Sequence, residues 1–212
     1  MTVKLVWITP NAQQVISDCA RVSNPVNQGK DGTKLINYLI ENKHWSPLEM
    51  ASACFEIETT RDIARQILRH RSFSFQEFSQ RYADVSAIQD EYIYREARLQ
   101  DAKNRQNSIE NTDEELQSWF DYQVYYIQYA ARQIYEEALK RGIAKEQARC
   151  VLPEGLTMSR LYMTGSIRSF YHFCDVRTDP STQKEHRHLA SKIKNILSES
   201  LPNIFYDHSR AA

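Results

Sequence analysis

One uninterrupted helical pattern, from Glu114 to Lys140, is the feature that most limits how this chain can fold. It is followed by Arg141-Gly142, and glycine is the residue that most often follows the last turn of a helix. Large aromatic side chains occur around much of its circumference; they are Trp119, Phe120, Tyr122, Tyr125, Tyr126, Tyr129 and Tyr135. A helix that is apolar on several sides is normally covered on several sides. A large core of the same chain or a neighbouring subunit could provide this cover, and the sequence leaves both open.

Shorter patterns elsewhere predict a mixture of strands and helices. Residues 52–59 place Ala53, Phe55 and Ile57 on one face and two glutamates on the other, which is typical of a half-buried strand. A two-sided helix follows, from Arg61 to about His70. The remaining predicted elements are a strand at 3–8, a helix capped by Asn11 that ends near Val22, a helix at 33–42, a loop at 44–49, an exposed polar excursion at 91–111, a strand at 157–164, a short helix at 166–174 and a closing helix at 181–201. These elements predict an α/β (α+β) fold, a central mixed or antiparallel sheet flanked by helices, in one domain spanning 1–212.

Charge and composition argue against several classes of protein. Lys+Arg and Asp+Glu are equal at 27 each, so no net field favours an extended nucleic-acid surface. No apolar stretch approaches the roughly 20 residues that cross a bilayer, and the N-terminus lacks a secretory pattern. The four cysteines are scattered, with no C-x-x-C pair, as in reduced proteins of the cytosol. We therefore expect a folded cytoplasmic protein that acts on neither membrane nor nucleic acid.

The segment from Arg69 to Tyr82 concentrates polar and charged side chains. Arg69, His70 and Arg71 come at the end of the predicted helix, and a stretch rich in Ser, Gln, Glu and Arg, interleaved with aromatic residues, follows. Cations are mildly favoured at a helix C-terminus, so the cluster could be only a capping group on a solvated face. Arginine forks also suit phosphate oxygens, and the polar residues could hydrogen-bond a base or a flavin edge. A cap and an anionic-ligand site are both compatible with this pattern.

Three more arginines, Arg149, Arg168 and Arg177, could surround a phosphate or an anionic ring, or could be ordinary surface ion pairs. The common dinucleotide and phosphate-loop motifs are absent from the sequence.

Other candidate sites are weak. His186 and His188 lie two apart on a predicted helix and so point to different faces, which is poor geometry for a metal, and we expect both to be solvated. Cys174 has no second sign of a nucleophile and is expected to be a buried structural cysteine. No metal site is predicted.

The Arg69-to-Tyr82 segment resembles the signature of the flavin-dependent thymidylate synthases, which is Arg-His-Arg, seven residues, then Ser, with Arg-Tyr following. Five more blocks are similar to those of the family in order and spacing; they are Ala20-Arg21-Val22-Ser23, His44-Trp45-Ser46-Pro47-Leu48-Glu49, Ala148-Arg149-Cys150-Val151-Leu152-Pro153, Thr164-Gly165-Ser166-Ile167-Arg168-Ser169 and Phe173-Cys174-Asp175-Val176-Arg177. The resemblance covers about residues 15 to 200.

The resemblance implies two sets of binding residues. Those matching the positions that hold dUMP are Gln66, Arg69, Glu77, Phe78, Ser79, Gln80, Arg81, Arg149 and Arg177. Those matching FAD contacts are Ser46, Arg69, His70, Arg71, Glu77, Ser166, Arg168 and His172. Arg177 matches the catalytic arginine beside the uracil, where a fixed positive charge favours the ionised ring. The resemblance also implies a homotetramer with active sites shared between subunits.

The implied reaction methylates dUMP to dTMP. NADPH reduces FAD, 5,10-methylenetetrahydrofolate gives its methylene to C5, the reduced flavin supplies the hydride, and tetrahydrofolate leaves. The side chains of the protein then serve orientation and electrostatics around a cofactor that does the difficult chemistry.

Several positions depart from the family pattern. Gln76, Ser166 and His172 stand where Asn is usual, and Trp45 replaces a usual Glu or similar residue. Gln80 stands where Gly is common, and it would crowd the loop if the backbone there needs a positive φ. Two other functions therefore stay open: a non-catalytic nucleotide- or nucleic-acid-binding module that uses the same arginines, and a degenerate family member that binds flavin but turns over slowly.

Overall fold

The computed structural model of the protein describes residues 1–205. Its strands are β1 (Thr2–Ile8), β2 (Ser52–Thr60), β3 (Ser74–Glu77), β4 (Leu99–Gln100), β5 (Ser108–Ile109) and β6 (Met158–Ser166). Its helices are α1 (Ala12–Ala20), α2 (Thr33–Glu41), α3 (Arg61–Ile67), α4 (Glu114–Lys140), α5 (Lys145–Ala148), α6 (Ile167–Arg177), α7 (Lys184–Ser200) and α8 (Pro202–Phe205). The predicted α/β (α+β) class, with an antiparallel sheet flanked by helices, is confirmed.

The main sheet has four strands in the order β1-β2-β6-β3. Its two inner strands carry fully buried side chains, among them Phe55 and Ile57 on β2 and Leu161 and Met163 on β6. The alternation predicted for β2 is confirmed for its apolar face, since Ala53 is also fully buried. β4 and β5 form a separate antiparallel ribbon, in which Leu99 lies opposite Ile109. The strand order of the main sheet could not be predicted from the sequence, because β3 pairs with β6, which lies about 80 residues later in the chain.

Contacts between residues divide the chain into two compact units. The first, called the long-helix unit here, comprises Glu58–Arg69 and Gln76–Leu161, together with Met1. The second, called the terminal unit, comprises Thr2–Ile57, His70–Phe75 and the described residues from 162 to 205. The prediction of a single domain over 1–212 stays a prediction.

Helix α4 confirms the predicted bounds of 114–140, and both of its ends follow from local chemistry. The carboxylate of Asp113 accepts hydrogen bonds from the backbone N–H groups of Glu115 and Leu116, at 3.0 and 3.1 Å. Such a cap satisfies donors that the first turn leaves without a partner. At the other end Gly142 adopts a φ of 83°, which L-residues rarely adopt, and its N–H donates to Leu139.

Two glutamines of α4 bind the backbone of the polar segment that precedes it. The amide of Gln128 accepts from the N–H of Ile93 at 2.7 Å and donates to the carbonyl of the same residue at 2.6 Å. The amide of Gln117 accepts from the N–H of Ala97 at 2.8 Å and donates to the carbonyl of Arg95 at 3.2 Å. The prediction of an exposed excursion over 91–111 is therefore wrong for Ile93, Arg95 and Ala97, which are partly buried, whereas the side chains of Tyr94 and Glu96 are exposed as predicted. It is confirmed for the ribbon of β4 and β5, which is exposed.

The aromatic side chains of α4 are largely uncovered in this chain. Trp119, Tyr122 and Tyr126 are 58%, 65% and 56% exposed, whereas Tyr135 is 3% exposed. Tyr135 packs with Val85 and Ala148 in a small core of the long-helix unit. The sequence left open whether a core of the same chain or a neighbouring subunit covers these aromatic residues. Within residues 1–205, a core of the same chain does not cover most of them.

Two predicted helix ends need correction. Asn11 stands at the start of α1 but has a φ of 51° and makes no side-chain cap; its carbonyl accepts from Val15 instead. Helix α3 ends at Ile67, three residues before the predicted end at His70. The apolar spacing continues through Leu68, which is why the sequence pattern overran the helix. Arg69, His70 and Arg71 consequently lie in the turn after the helix and do not cap it.

Candidate active site

The turn after α3 presents two exposed arginines on either side of a half-buried histidine. Within residues 1–205, Arg69 and Arg71 are exposed and lie within ion-pair distance of no carboxylate. Arginine forks without a protein counter-ion are suited to bind anionic oxygens. Of the two interpretations of this cluster, the anionic-ligand site is therefore favoured over a helix cap.

His70 is bonded directly to Arg177, which ends α6 in the terminal unit. The Nε of Arg177 donates to the Nε2 of His70 at 2.8 Å. Arginine has no acceptor atom, so His70 must be neutral, with its proton on Nδ1. Burial of the ring, together with the positive charge of Arg177, lowers the pKa of His70 to about 4. The arginine predicted to act on the nucleotide and the histidine predicted to bind the flavin therefore form one hydrogen-bonded pair.

A cluster of phenylalanines supports the turn between His70 and Phe75. The ring of Phe73 is 8% exposed and packs 4.8 Å from that of Phe170 and 5.9 Å from that of Phe173. Gly165, at the end of β6, faces this ring so closely that a Cβ there would lie 2.5 Å from a ring carbon of Phe73. The path of the arginine-bearing turn thus depends on a glycine that the Gly-Ser-Ile-Arg block carries.

The other predicted flavin residues of the terminal unit lie around the start of α6. The Oγ of Ser166 caps this helix by accepting from the N–H of Ser169 at 3.2 Å. The Oγ of Ser169 in turn donates to the carbonyl of Ser72, at 3.2 Å. The structure therefore ties the first turn of α6 to the turn that carries His70 and Arg71.

Arg168 and His172 are both held by residues of the 44–49 segment. Arg168 forms an ion pair of 3.0 Å with Glu49, in which both side chains are about 40% exposed. The ring of His172 lies edge-on to Trp45, 4.8 Å between centroids, and Trp45 also packs on Tyr171 at 5.0 Å. The predicted loop that contains Ser46 is a 3₁₀ turn over Ser46–Met50. Trp45, which departs from the family pattern, is thus part of the wall beside a predicted flavin residue.

The predicted nucleotide residues from Glu77 to Arg81 form the end of β3 and a tight turn in the long-helix unit. Glu77 accepts from the Oγ of Ser159 at 2.7 Å and lies 3.8 Å from Arg61. The N–H of Phe78 donates to the carbonyl of Arg160, which continues the pairing of the sheet. The carbonyl of Ser79 then accepts from two residues further along the turn, Tyr82 and Ala83. The acidic end of β3 is thus fixed by hydrogen bonds, while the Ser79 side chain stays exposed.

Gln80 lies inside this turn with its amide buried. It is 3% exposed, and its Nε2 has no hydrogen-bond partner among residues 1–205. Its φ is not positive, since the positive-φ residues other than glycine in this range are Asn11 and Lys43. The expected crowding from a side chain in place of glycine therefore does not arise from backbone strain.

Arg81 and Arg149 are both linked to Glu146 on α5. Arg81 lies 3.4 Å from the carboxylate of Glu146, and the Nε of Arg149 donates to the carbonyl of the same residue at 3.4 Å. The bond from the Lys145 ammonium to the carbonyl of Tyr82, 3.4 Å long, joins the same two segments. The structure therefore brings together two blocks that lie about 70 residues apart in the sequence. Gln66, the remaining predicted nucleotide residue of this unit, lies on α3 and is partly buried.

Some residues that hold the site were missed by sequence reasoning. Ser159, Arg61 and Glu146 position predicted ligands, yet each belongs to no recognisable motif, because its partner lies far away in the sequence. His186 was expected to be solvated and is instead fully buried, with its pKa lowered to about 3 by burial first and then by Arg177 and His70. His188 is exposed as expected.

Cys174 is confirmed as a buried cysteine: it is 2% exposed, and burial raises the pKa of its thiol to about 12.

We also searched residues 1–205 for a metal site, a membrane-spanning helix and a cavity. No group of three or more His, Cys, Asp or Glu side chains among residues 1–205 could hold a metal ion. Among the helices in this range, none combines the length and the apolar composition that a bilayer crossing requires. A cavity of about 470 Å³ lies in the long-helix unit, with Asp84, Arg132 and Tyr135 in its lining. None of the predicted nucleotide or flavin residues lines that cavity.

Comparison with known proteins gives the chain its relatives. The profile of a family described as thymidylate synthase complementing protein matches residues 4–203. A flavin-dependent thymidylate synthase of Synechocystis is 49% identical over 190 residues, which are 90% of this chain and 86% of the relative. A probable flavin-dependent thymidylate synthase of Paramecium bursaria Chlorella virus 1 is 42% identical over 213 residues, 96% of this chain and 97% of the relative. Among solved structures, a UMP/dUMP methylase from Streptomyces cacaoi bound with 5-Br dUMP is similar with a TM-score of 0.80 and 28% identity, covering 96% of this chain and 92% of that one.

Proposed function

The chain belongs to the family of flavin-dependent thymidylate synthases, and on this basis we propose that it methylates dUMP to dTMP with FAD as its cofactor. When bound, FAD that NADPH has reduced supplies the hydride, while 5,10-methylenetetrahydrofolate gives its carbon to C5 of dUMP and leaves as tetrahydrofolate. We further propose that residues 1–212 act as one catalytic domain in the cytoplasm. The alternative of a non-catalytic nucleotide- or nucleic-acid-binding module is not favoured by these relatives.

The observation that carries the proposal is the hydrogen bond between Arg177 and His70. It joins the residue proposed for the nucleotide to one proposed for the flavin, at 2.8 Å. Because Nε of Arg177 donates to His70, its two terminal nitrogens are the groups that we propose bind the nucleotide. A fixed positive charge beside the ring N–H of uracil lowers the pKa of that group and favours the ionised ring. That effect is the role we propose for Arg177.

The residues of the terminal unit fit the chemistry of a flavin nucleotide. Arg71 supplies an exposed cation without a counter-ion among residues 1–205, which suits a diphosphate. His70 and His172 supply imidazole rings in the same unit, and both rings are packed on other aromatic groups. Aromatic rings and a cation together suit a ligand that is flat at one end and anionic along its length. We propose that Ser46, Ser166 and Arg168 complete this site.

The residues of the long-helix unit fit the phosphate and ribose of dUMP. Arg69 has no carboxylate partner among residues 1–205, and Gln80 holds an unpaired amide N–H₂ inside its turn. A buried donor without a partner costs about 1–3 kcal/mol unless a ligand satisfies it. We propose that Gln80 donates to dUMP, together with the side chain of Ser79 and with Arg81 and Arg149. Glu77, fixed by Ser159, would orient the sugar.

We propose that the protein is a homotetramer whose copies cover the exposed aromatic face of α4. Trp119, Tyr122 and Tyr126 lie on this face, each more than half exposed. Contiguous exposed apolar side chains on one helix face often mark an interface between proteins. Light scattering is expected to give a mass four times that of the chain; a monomer at micromolar concentration would contradict the proposal.

An absorbance spectrum tests the function most directly. The purified protein, supplied with excess FAD, is expected to retain a flavin band that shifts when dUMP is added. Addition of NADPH and 5,10-methylenetetrahydrofolate should then yield dTMP and tetrahydrofolate in equal amounts. A protein that binds no flavin even with excess FAD would refute the proposal. Bound flavin with negligible turnover would instead indicate the degenerate family member that the sequence left open.

His70→Ala is expected to weaken flavin retention about tenfold, or about 1.4 kcal/mol. The ring packs 4.9 Å from Phe173, so its loss removes both a flavin contact and the packing that aligns the turn. Bound flavin per chain, measured after gel filtration, checks this. His188→Ala is the matched control, because His188 is exposed and lies outside the site. Equal flavin content in both variants would count against the assignment of His70.

A further inference from the structure

A second histidine, His186 on α7, lies against the pair formed by His70 and Arg177. It is fully buried, whereas His188, two residues later on the same helix, is exposed. Its ring centroid lies 6.1 Å from that of His70 and 5.7 Å from that of Phe173. His70 and Phe173 are themselves 4.9 Å apart. The three rings thus form a closed triangle that joins the arginine-bearing turn, α6 and α7.

The triangle fixes which way His70 faces. For Arg177 to donate to Nε2, the imidazole must be neutral and must present that nitrogen to the guanidinium. Phe173 and His186 each meet the His70 ring edge to face, at interplanar angles of 77° and 81°. Rings packed in this way resist rotation, because rotation would need space that a close-packed interior lacks.

His186 also adds no charge beside Arg177. Burial is the largest cause that lowers the pKa of His186. The charged or titratable groups that lower it further are Arg177 on α6 and His70 in the turn after α3. With its pKa at about 3, His186 is neutral throughout the physiological range. A neutral ring can pack against His70 without repelling the guanidinium, which a cation at this position would do.

We propose that His186 is a positioning residue of the active site, which holds the ring of His70 so that Arg177 is fixed in place for dUMP. The inference rests on the proposed function and deepens it, because it extends the site to α7, a helix that supplies none of the predicted ligands. His186 acts through His70 and Arg177 and has no direct contact with substrate in this role.

Two substitutions of similar volume test the proposal. His186→Leu fills the core but removes the ring, while His186→Phe keeps a ring. Binding of dUMP to the protein loaded with excess FAD, measured by calorimetry, is expected to weaken about fivefold to tenfold in His186→Leu, a change typical of coupled neighbours. His186→Phe should restore affinity to within about twofold, and His188→Ala is the control on the same helix. Equal affinity of the Leu and Phe variants would overturn the proposal.

A double-mutant cycle separates positioning from a general loss of packing. If His186 acts through Arg177, His186→Leu should change dUMP affinity by less than about twofold in an Arg177→Ala background. A purely structural role would instead give the same loss in both backgrounds and would overturn the proposal. Melting temperatures of all variants show that each is folded under the conditions of the titration. If the wild-type protein itself binds no dUMP, the proposed function fails; a wild type that binds, with an unaffected Leu variant, rejects only the role of His186.

Discussion

Arg177→Ala is expected to reduce dTMP formation by about 10²–10³-fold while leaving bound flavin in place. Removing one preorganised charged donor from a site where charge develops costs roughly this much. Arg177 is partly buried and anchored at one nitrogen by His70, so its charge is held without further reorganisation. Steady-state turnover at saturating folate, together with flavin content from absorbance, measures both parts of the expectation.

Arg177→Lys is the matched comparison for this variant. Lysine keeps the positive charge but lacks the planar fork that can bind His70 and a ligand at once. It should therefore retain more activity than alanine and less than the wild type. Loss of flavin with normal dUMP affinity in Arg177→Ala would show that the role assigned to Arg177 is wrong.

Gly165→Ala is expected to destabilise the protein by about 3 kcal/mol and to lower its flavin content. The added Cβ would lie 2.5 Å from a ring carbon of Phe73, and that ring is enclosed by Phe170 and Phe173. Overpacking of an enclosed core costs roughly 1–3 kcal/mol. In a chain of this size a loss of about 3 kcal/mol lowers Tm by roughly 6–12 °C. Because Phe73 follows Arg71 by two residues, a displacement of Phe73 would also move the turn that carries Arg69 and Arg71.

Gly155→Ala provides the control for this steric argument. A Cβ at Gly155 would meet its nearest atom, a carboxylate oxygen of Asp62, at 3.8 Å, which is an ordinary contact. Its Tm should therefore stay close to that of the wild type. A Gly165→Ala protein that melts within about 1 °C of the wild type would mean that the Phe73 ring can move aside.

The regular elements were more predictable than the contacts of the site. Helix α4 followed from a long pattern that ends at Gly142, because helical spacing and helix stops are local properties, whereas its cap at Asp113 was found only in the structure. The sheet order was not predictable, since pairing between β3 and β6 depends on residues far apart in the chain. Glu77 shows the same limit: the motif indicated the residue, but its partner Ser159 lies 82 residues away.

His186 shows why it is harder to predict whether a helix face is buried than which residues lie on that face. The spacing of two residues correctly put His186 and His188 on different faces of a helix. One face is buried and the other exposed, so the expectation that both are solvated is wrong for His186. Histidine is usually counted as polar, so the sequence did not indicate that His186 lies on the buried face. A neutral imidazole can nevertheless pack in a core as an aromatic ring does.

The two glutamines of α4 also bear on how this chain can diverge among its relatives. Gln117 and Gln128 bind peptide groups of residues 93–97, so most side chains there can be exchanged without loosening the segment. Its length is a different matter. The glutamines lie about 16 Å apart along the helix axis, and the four residue steps from Ile93 to Ala97 reach at most about 14 Å. Because the glutamine side chains must make up the remaining distance, we expect a deletion in this segment to cost more of these hydrogen bonds than a substitution does.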